Sequence, residues 1–335
     1  ASFHLVGKDI LRFHSVYWPA FLMSLDLPLP KHIAAHGWWT RDGSKMSKSK
    51  GNVVDPKEIA DAYGLDAFRY FMLREVPFGQ DGDFSQKALV DRINSDLGND
   101  LGNLLNRIMG MSGKYFDFNI DSCDVEKFHK KELDEVNALL ENIEDYIFNM
   151  QINRYLEDLW KVLTIGNKAI GDYEPWNMMK EGKADEAMAL VALIANIMAK
   201  VSILLDSVMP ERISKIAACL GIEINTNTYT KLIKNKELIG KTTITKVDQL
   251  FPRIEDVLLP TANEQIQDKK EEIKGEVIKV EQSNETEDDN LITIDQFFET
   301  SIKIGTIVEA EEVPKSKKLL KLQVDLNEGK NRQIL

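Results

Sequence analysis

The chain has 335 residues, enough for two or three domains that each bury a core of their own. With 43% hydrophobic and 29% charged residues it has the composition of a globular protein, and its formal net charge of −12 argues against a uniformly basic nucleic-acid-binding surface. Two cysteines, Cys123 and Cys219, are too few for a four-thiolate zinc site, and we expect both to be reduced thiols.

The first forty residues have the pattern of a βαβ unit. Residues 3–6 predict a buried strand, and the turn Gly7-Lys8-Asp9 opens a helix that we expect to end at Pro19 or soon after. Residues 31–38 predict a second strand. Ligands of such units bind outside the carboxyl ends of the parallel strands, so this edge is a candidate site.

Aromatic side chains are concentrated on the helix between these strands. On an α-helix Ile10, His14 and Trp18 share one face, and Phe13 and Tyr17 lie beside it. An aromatic stripe of this kind is either part of a core or the lining of a binding pocket. The histidine within the apolar cluster favours a pocket, but the residues alone leave both interpretations open.

A run of charged residues follows the second strand. Residues 41–50 contain four cations, one anion, three serines and a glycine, and residues 41–52 show neither a helix nor a strand period. We therefore expect a surface loop, which is either simply solvated or closes over a polyanion whose charge increases during a reaction.

The middle of the chain is predicted to be helical. Asp55-Pro56 opens a helix that Gly64 ends, a second helix and the turn-rich residues 78–85 follow, and Ser85 is a candidate N-cap. Residues 86–240 read as a bundle whose clearest member, 190–208, has a wide apolar stripe. The longest apolar run within it, residues 187–199, is too short to cross a bilayer, so we predict no membrane association.

Two features of the predicted bundle are candidates for RNA binding. On the helix of residues 97–108, Asn99, Asn103 and Arg107 form a polar stripe opposite the leucines. The stripe is either plain solvent-exposed surface or a set of amide and guanidinium groups for single-stranded RNA bases. Trp176, directly after Pro175, either caps the core or provides a stacking platform for a base.

The end of the chain changes in composition. Residues 261–290 contain ten acidic and four basic residues and few aromatics, which predicts a linker that is partly helical or disordered. Beyond it, residues 302–310 and 320–326 read as strands. The chain stops before a β domain of this kind could be closed.

These motifs together resemble one family. The run Lys45-Met46-Ser47-Lys48-Ser49, preceded by His36-Gly37, resembles the signature loop of class I aminoacyl-tRNA synthetases. Gly7-Lys8-Asp9-Ile10, Phe13-His14 and the Trp-Pro-Ala run that begins at Trp18 are similar to methionyl-tRNA synthetases in particular. Asn99, Asn103 and Arg107 match the anticodon-reading helix of that family, and Trp176 matches its anticodon-stacking tryptophan.

The resemblance implies roles for these residues. Lys45 and Lys48 would be catalytic and stabilise charge on the phosphates of ATP. The expected sites are, for ATP, Lys45, Met46, Ser47, Lys48, Ser49, Gly7, Asp9 and His36; for methionine, Phe13, His14 and Trp18; for the anticodon, Asn99, Asn103, Arg107 and Trp176. The expected partners are tRNA(Met), methionine and ATP with Mg²⁺, in a cytoplasmic enzyme, and no metal site is expected in this chain.

The implied fold is an α/β remnant of a Rossmann-like catalytic domain, an all-α anticodon-binding bundle, an acidic linker and the first strands of an OB-fold. The implied boundaries are 1–54 for the catalytic part, 55–90 for stem-contact helices, 91–260 for the bundle, 261–290 for the linker and 291–335 for a truncated OB-fold, which dimerises such enzymes.

The family's His-x-Gly-His signature and its inserted zinc-bearing domain do not occur in the sequence, and the resemblance places both before Ala1. We therefore expect this chain alone not to catalyse adenylation. Two alternatives remain at this stage: a class I ligase for another amino acid, and a module that only binds RNA.

Overall fold

The computed structural model describes residues 2–47, 52–260, 305–313 and 320–334. The chain divides into two units, residues 1–273 and 274–335, which are described separately. The predicted acidic linker of residues 261–290 and the predicted positions of Lys48 and Ser49 lie outside the described residues.

The predicted βαβ unit is present. Strands β1 (Phe3–Gly7) and β2 (His32–His36) pair in parallel. Between them lie a 3₁₀ turn (Lys8–Ile10), a π-helical turn (Phe13–Tyr17) and helix α1 (Trp18–Ser24). The predicted helix end at Pro19 or soon after is too early, because α1 continues to Ser24. The π-helical turn runs directly into α1, so Pro19 lies within a continuous helical segment.

The charged segment begins with a hairpin. Strand β3 (Trp39–Arg41) pairs antiparallel with β4 (Ser44–Lys45), and Asp42 and Gly43 between them both have positive φ, as a type I′ turn requires. The prediction of a loop without strand structure is therefore wrong for its first five residues. The predicted connector of residues 78–85 also contains a strand, β5 (Gly82–Phe84), which pairs in parallel with β3.

The first helices after the hairpin begin and end where the sequence predicts. Asp55 caps α2 (Pro56–Tyr63) by accepting a hydrogen bond from the Lys57 N–H at 2.8 Å, and Gly64 ends it with a φ of +89°. Helix α3 (Leu65–Arg74) follows directly. The N-cap of α4 (Gln86–Arg92) is Ser85, as predicted.

Helices continue to residue 234. The elements after α4 are, in chain order, a π-helix (Ile93–Gly102), α5 (Asn103–Tyr115), β6 (Asn119–Ile120), α6 (Val125–Phe128), α7 (Lys130–Leu140), α8 (Ile143–Phe148), α9 (Ile152–Tyr173), α10 (Pro175–Lys180), α11 (Ala184–Leu205), α12 (Pro210–Leu220), α13 (Thr226–Tyr229), a second π-helical turn (Thr230–Lys234) and β7 (Thr242–Thr243). Strands β6 and β7 pair antiparallel.

Helix α11 is the centre of the bundle, as its wide apolar stripe predicts. It packs against α5, α9 and α12, and all its residues from 189 to 205 are buried. The helix has 22 residues and is long and apolar enough to cross a membrane. The apolar run of residues 187–199, which we expected to be too short to do so, is therefore only part of it. Because 94% of its most apolar window is buried within the chain, its surroundings are those of a core helix.

The same helix buries a lysine. Lys200 is 1% exposed, and its ammonium donates hydrogen bonds to the backbone carbonyls of Leu232 and Glu237, which fastens the second π-helical turn to α11. Burial lowers the pKa of Lys200 from 10.5 to about 8. Between pH 8 and 10.5 the unfolded chain therefore binds more protons at this residue than the folded chain does, so stability rises with pH in this window.

We expect this linkage to be measurable by substitution. From pH 8 to 10.5, the free energy of unfolding of the wild-type chain should rise relative to that of Lys200→Met by about 1 kcal/mol per pH unit, in denaturant titrations. Lys215→Met, which removes an exposed lysine from α12, is the control and should follow the wild type. Parallel curves for the wild type and Lys200→Met would show that folding does not lower the pKa of Lys200.

After β7 the chain continues to Pro260 without helix or strand and contacts α4 and the π-helix that follows it. The Asn94 side chain holds it in both directions, donating to the Ile254 carbonyl at 2.8 Å and accepting from the Ile254 N–H at 2.9 Å. Gln86 donates to the carbonyls of Leu259 and Pro260. Leu259 and Pro260 therefore lie next to the sheet of β4, β3 and β5 that contains the hairpin.

The second unit contains a three-stranded antiparallel sheet in the order β10-β9-β8. Its strands are β8 (Thr306–Glu312), β9 (Leu320–Asp325) and β10 (Arg332–Ile334). The two predicted strands are confirmed within the described residues, and residues 302–304 of the first prediction lie outside them. The third strand was not predicted.

Candidate active site and RNA interface

An aromatic cavity of about 460 Å³ lies beside β1. Its lining residues are His4, Phe13, His14, Tyr17, Trp18 and Phe21. The three residues predicted for a methionine pocket all line it, whereas Ile10 does not. A π-helical turn has more residues per turn than an α-helix, so the four-residue spacing no longer keeps Ile10 on the same face.

Histidine orientation in the cavity is set by local contacts. The Nδ1 atom of His14 lies 3.0 Å from the carbonyl oxygen of Ile10, one turn earlier. The ring of His14 packs edge-on against that of His4, with 5.8 Å between centroids. The arrangement provides aromatic edges and two imidazoles within an otherwise apolar cavity.

The carboxyl ends of β1 and β2 bring together three predicted ATP-binding residues. Gly7 lies opposite His36 in the parallel register. A Cβ atom at Gly7 would lie 2.4 Å from Asp9 Oδ1 and 3.7 Å from His36 Cε1. A side chain at this position would displace the Asp9 carboxylate, whereas glycine leaves room for it beside the histidine.

Two lysines meet at one indole ring next to these strand ends. The Nζ atoms of Lys8 and Lys45 lie 4.2 and 5.4 Å from the ring centroid of Trp38. Lys8 also forms an ion pair with Asp81 at 2.5 Å, and Asp81 accepts a hydrogen bond from the backbone N–H of Trp38. The contact with Lys8 lowers the pKa of Asp81 below its usual range. Trp38 and Asp81 were not singled out from the sequence.

The base of the charged segment is closed by a buried amide. Asn52 is 2% exposed; its Nδ2 donates to the Lys45 carbonyl at 3.1 Å, and its Oδ1 accepts from the Ser47 N–H at 2.9 Å. Met46, between them, is half-buried and packs against the main core. Asn52 thus fixes the backbone of Lys45 and Ser47 by two hydrogen bonds.

Arg41 differs most from its predicted environment. It was expected in a surface loop, but it is 3% exposed and donates from Nη2 to the Pro260 carbonyl at 2.9 Å. The hairpin that carries Lys45 is therefore joined to the extended residues that return from the bundle.

The predicted polar stripe is present and faces solvent. Asn99, Asn103 and Arg107 are exposed, and the leucines opposite them are fully buried. The prediction of one continuous α-helix is wrong, because Asn99 lies in the π-helix and α5 begins at Asn103. The stripe nevertheless stays together: Asn103 Nδ2 lies 3.4 Å from Asn99 Oδ1. Asn167 of α9, which the sequence did not indicate, accepts a hydrogen bond from Arg107 at 3.2 Å.

Trp176 lies outside the core. Its side chain is 41% exposed in the first turn of α10, whose preceding residue Glu174 has a left-handed backbone (φ +44°). Asn177 donates to the Glu174 carboxylate at 2.7 Å, which stabilises this sharp connection between α9 and α10. The exposure favours the predicted stacking platform over a capping role within the core.

Metal binding has no candidate in the described part of the chain. Across residues 2–47, 52–260, 305–313 and 320–334, no three histidine, cysteine, aspartate or glutamate side chains are grouped so that they could hold an ion.

Family models match two parts of the chain. The one described as "tRNA synthetases class I (M)" matches residues 1–109, and the one described as "Anticodon binding domain of methionyl tRNA ligase" matches residues 122–271. The first match contains the aromatic cavity, the hairpin and the polar stripe. The second contains Trp176.

Curated relatives and solved structures agree with these matches. The chain is 50% identical to the methionine–tRNA ligase of Campylobacter jejuni and 45% identical to that of Helicobacter pylori, covering 100% and 99% of this chain but 50% and 51% of those proteins. It also superposes on the Mycobacterium tuberculosis methionyl-tRNA synthetase in complex with methionyl-adenylate, with a TM-score of 0.69 and 38% identity, covering 76% of this chain and 50% of that one. The chain thus spans about half the length of these relatives.

Proposed function

The chain belongs to the methionyl-tRNA synthetases of class I, and we propose that it takes part in joining methionine to tRNA(Met). In the complete enzyme, methionine and ATP would form methionyl-adenylate and pyrophosphate, and the methionyl group would then pass to the terminal ribose of the tRNA. The observation that supports this best is the aromatic cavity beside the strand ends that hold Gly7, Asp9 and His36.

The cavity suits the methionine side chain. Phe13, His14 and Trp18 would surround the thioether, and each sulfur–aromatic contact contributes ~0.3–1.5 kcal/mol. A ligand without sulfur but of similar shape would lose these contacts and keep only the apolar burial. The pocket therefore favours methionine over an aliphatic competitor.

The strand ends and the charged segment suit ATP. Gly7 permits close backbone approach, Asp9 would accept hydrogen bonds from the ribose hydroxyls, and His36 would lie near the adenine or the phosphates. Lys45 and Lys48 would place ammonium groups on the phosphates, most strongly when charge develops as the methionine carboxylate attacks the α-phosphate. Met46, Ser47 and Ser49 would hold the segment. Mg²⁺ would enter with the phosphates of ATP.

The bundle would recognise the anticodon. The exposed amides of Asn99 and Asn103 can pair with base edges, the guanidinium of Arg107 can pair or stack, and Trp176 can stack on an unpaired base. We assign residues 55–90 to contacts with the tRNA stem and 91–260 to the anticodon-binding domain.

The second unit would extend the RNA contact. We propose that its antiparallel strands are the first part of an OB-fold within residues 291–335, after an acidic linker at 261–290, and that a completed OB-fold would also join two copies of the enzyme. We also propose a cytoplasmic location, where tRNA is charged for translation.

One test of the site concerns Asn52. In the complete enzyme, Asn52→Ala should lower the rate of adenylate formation about tenfold with little change in methionine affinity, because the backbone on either side of Met46 loses two buried hydrogen bonds. Rapid-quench kinetics would measure both quantities. Asn94→Ala removes an amide that bridges the backbone in the same way, but at Ile254, and is the matched control. Equal rates for the two variants would show that Asn52 has no special effect on Lys45.

The amino acid is tested by exchange of pyrophosphate into ATP. In the complete enzyme we expect methionine to support the fastest exchange among the standard amino acids. A faster reaction with another amino acid would identify a class I ligase of different specificity. Absence of exchange with every amino acid, combined with tight binding of tRNA, would instead identify a module that only binds RNA.

A further inference from the structure

Asn167, on the outer side of α9, joins three elements of the bundle. Its Oδ1 accepts a hydrogen bond from Arg107 Nη1 at 3.2 Å. Its Nδ2 donates to the carbonyl of Asp100 at 3.1 Å, in the π-helix that precedes α5, and to the carbonyl of Leu163 at 3.3 Å, one turn earlier on α9. The side chain thus connects α9 with both helical segments that carry the polar stripe.

The orientation of this amide follows from its partners. Backbone carbonyls only accept hydrogen bonds, so the NH₂ group of Asn167 must face Asp100 and Leu163, and its oxygen must face Arg107. A guanidinium only donates, which agrees with this assignment. The two carbonyl bonds leave the amide a single orientation in which all its partners are satisfied.

The helix that holds Asn167 is itself fixed closely against α5. The neighbouring Gly166 is buried, and a Cβ atom there would lie 3.3 Å from Leu104 Cδ2 and 3.4 Å from Ile197 Cδ1. The absence of a side chain at Gly166 therefore lets α9 approach α5 closely enough for Asn167 to reach Arg107.

We propose that Asn167 is a positioning residue of the anticodon interface, which holds the Arg107 guanidinium in one orientation before RNA binds. An exposed arginine otherwise loses side-chain freedom when it binds a ligand, and a hydrogen bond that fixes it beforehand reduces that loss. One donor of Arg107 is occupied by Asn167, and the other donors are left for the bases. This inference rests on the proposed anticodon-binding function.

The same contacts predict that the effect of Asn167→Ala on RNA binding depends on the presence of Arg107. With Arg107 present, Asn167→Ala should weaken binding of a tRNA(Met) anticodon stem-loop to this chain roughly threefold to tenfold, the size expected for one net hydrogen bond. In an Arg107→Ala background the same change should have no effect, because the group that Asn167 positions is gone. Filter binding or calorimetry of the four proteins gives the full cycle.

A merely structural role for Asn167 would give a different result. Loss of the bonds to Asp100 and Leu163 would then weaken RNA binding equally in both backgrounds, and equal loss overturns the proposal. Asn149→Ala is the matched control, since Asn149 also donates to the carbonyl four residues earlier but lies at the end of α8. This control should bind like the wild type.

The outcomes also separate this inference from the function on which it rests. If Arg107→Ala weakens binding and Asn167→Ala does not, only the positioning role fails. If Arg107→Ala and Trp176→Ala both bind the stem-loop as tightly as the wild type, the anticodon-binding function fails, and the positioning role fails with it.

Discussion

In the complete enzyme, Lys45→Ala should slow adenylate formation roughly 10²- to 10³-fold, which corresponds to about 2.7–4 kcal/mol of lost transition-state stabilisation. Methionine affinity should change little. The reason is the position of the ammonium: Lys45 ends the hairpin, lies 5.4 Å from the Trp38 ring centroid and is held at its backbone by Asn52. A cation fixed in this way stabilises the transition state more than the ground state, because negative charge develops on the phosphates during the reaction.

Single-turnover formation of the adenylate and equilibrium binding of methionine measure the two quantities separately. Lys57→Ala is the control, because Lys57 is an exposed lysine on α2 that pairs with Asp61 one turn further along the helix. It should retain the wild-type rate. If Lys45→Ala weakened methionine binding as much as it slowed the reaction, Lys45 would act in the ground state. We expect the same pattern for Lys48→Ala, whose position lies outside the described residues.

In the helical bundle, Trp176→Ala should weaken binding of the tRNA(Met) anticodon stem-loop by about 1–3 kcal/mol, or roughly 5- to 150-fold. The indole is 41% exposed, and the sharp turn at Glu174 presents it at the start of a new helix. Truncation should therefore remove a surface for stacking without opening a cavity in the core, and the thermal stability of the chain should change little.

Binding of the stem-loop to this chain by filter assay or calorimetry measures the effect. Phe148→Ala is the matched control, because Phe148 is an aromatic residue that is 79% exposed at the end of α8. It should bind like the wild type. A large loss of stability in Trp176→Ala, with RNA affinity unchanged, would show that Trp176 serves the fold and not the RNA.

Features that depend on local sequence were predicted well. The Asp55-Pro56 start of α2, its end at Gly64 and the cap at Ser85 follow from backbone preferences within a few residues. The central position of α11 follows from its apolar period. The solvent-facing polar stripe was also predictable, because the buried leucines opposite it determine which side faces outward.

Two local features were missed for physical reasons that the sequence does contain. The turn Asp42-Gly43 is a strong hairpin signal. The residues beside it are mostly charged or polar, so the short strands lack the apolar alternation by which strands are predicted. The π-helical turn of residues 13–17 is harder to predict, because it depends on how the segment packs and not on residue preferences. It explains both the misplaced end at Pro19 and the exclusion of Ile10 from the cavity.

The side chains that support the site could not be found from periodicity or motifs. Arg41 and Pro260 are 219 positions apart, and Arg107 and Asn167 are 60 apart, so their contacts exist only after the bundle has folded. Asn52 is closer to its partners, but it reads as an ordinary polar residue of a loop until its burial is known. The family resemblance indicated the candidate site residues. It did not indicate the side chains that hold those residues in place.

We propose that this chain carries an anticodon-reading surface of a methionyl-tRNA synthetase. The most direct measurement is the affinity of the 335-residue chain for two stem-loops of identical stem, one with the methionine anticodon and one with the anticodon of another amino acid. We expect the methionine stem-loop to bind at least about tenfold more tightly, because base-edge contacts to Asn99, Asn103 and Arg107 are lost with the other. Equal affinities for the two stem-loops would contradict the claim.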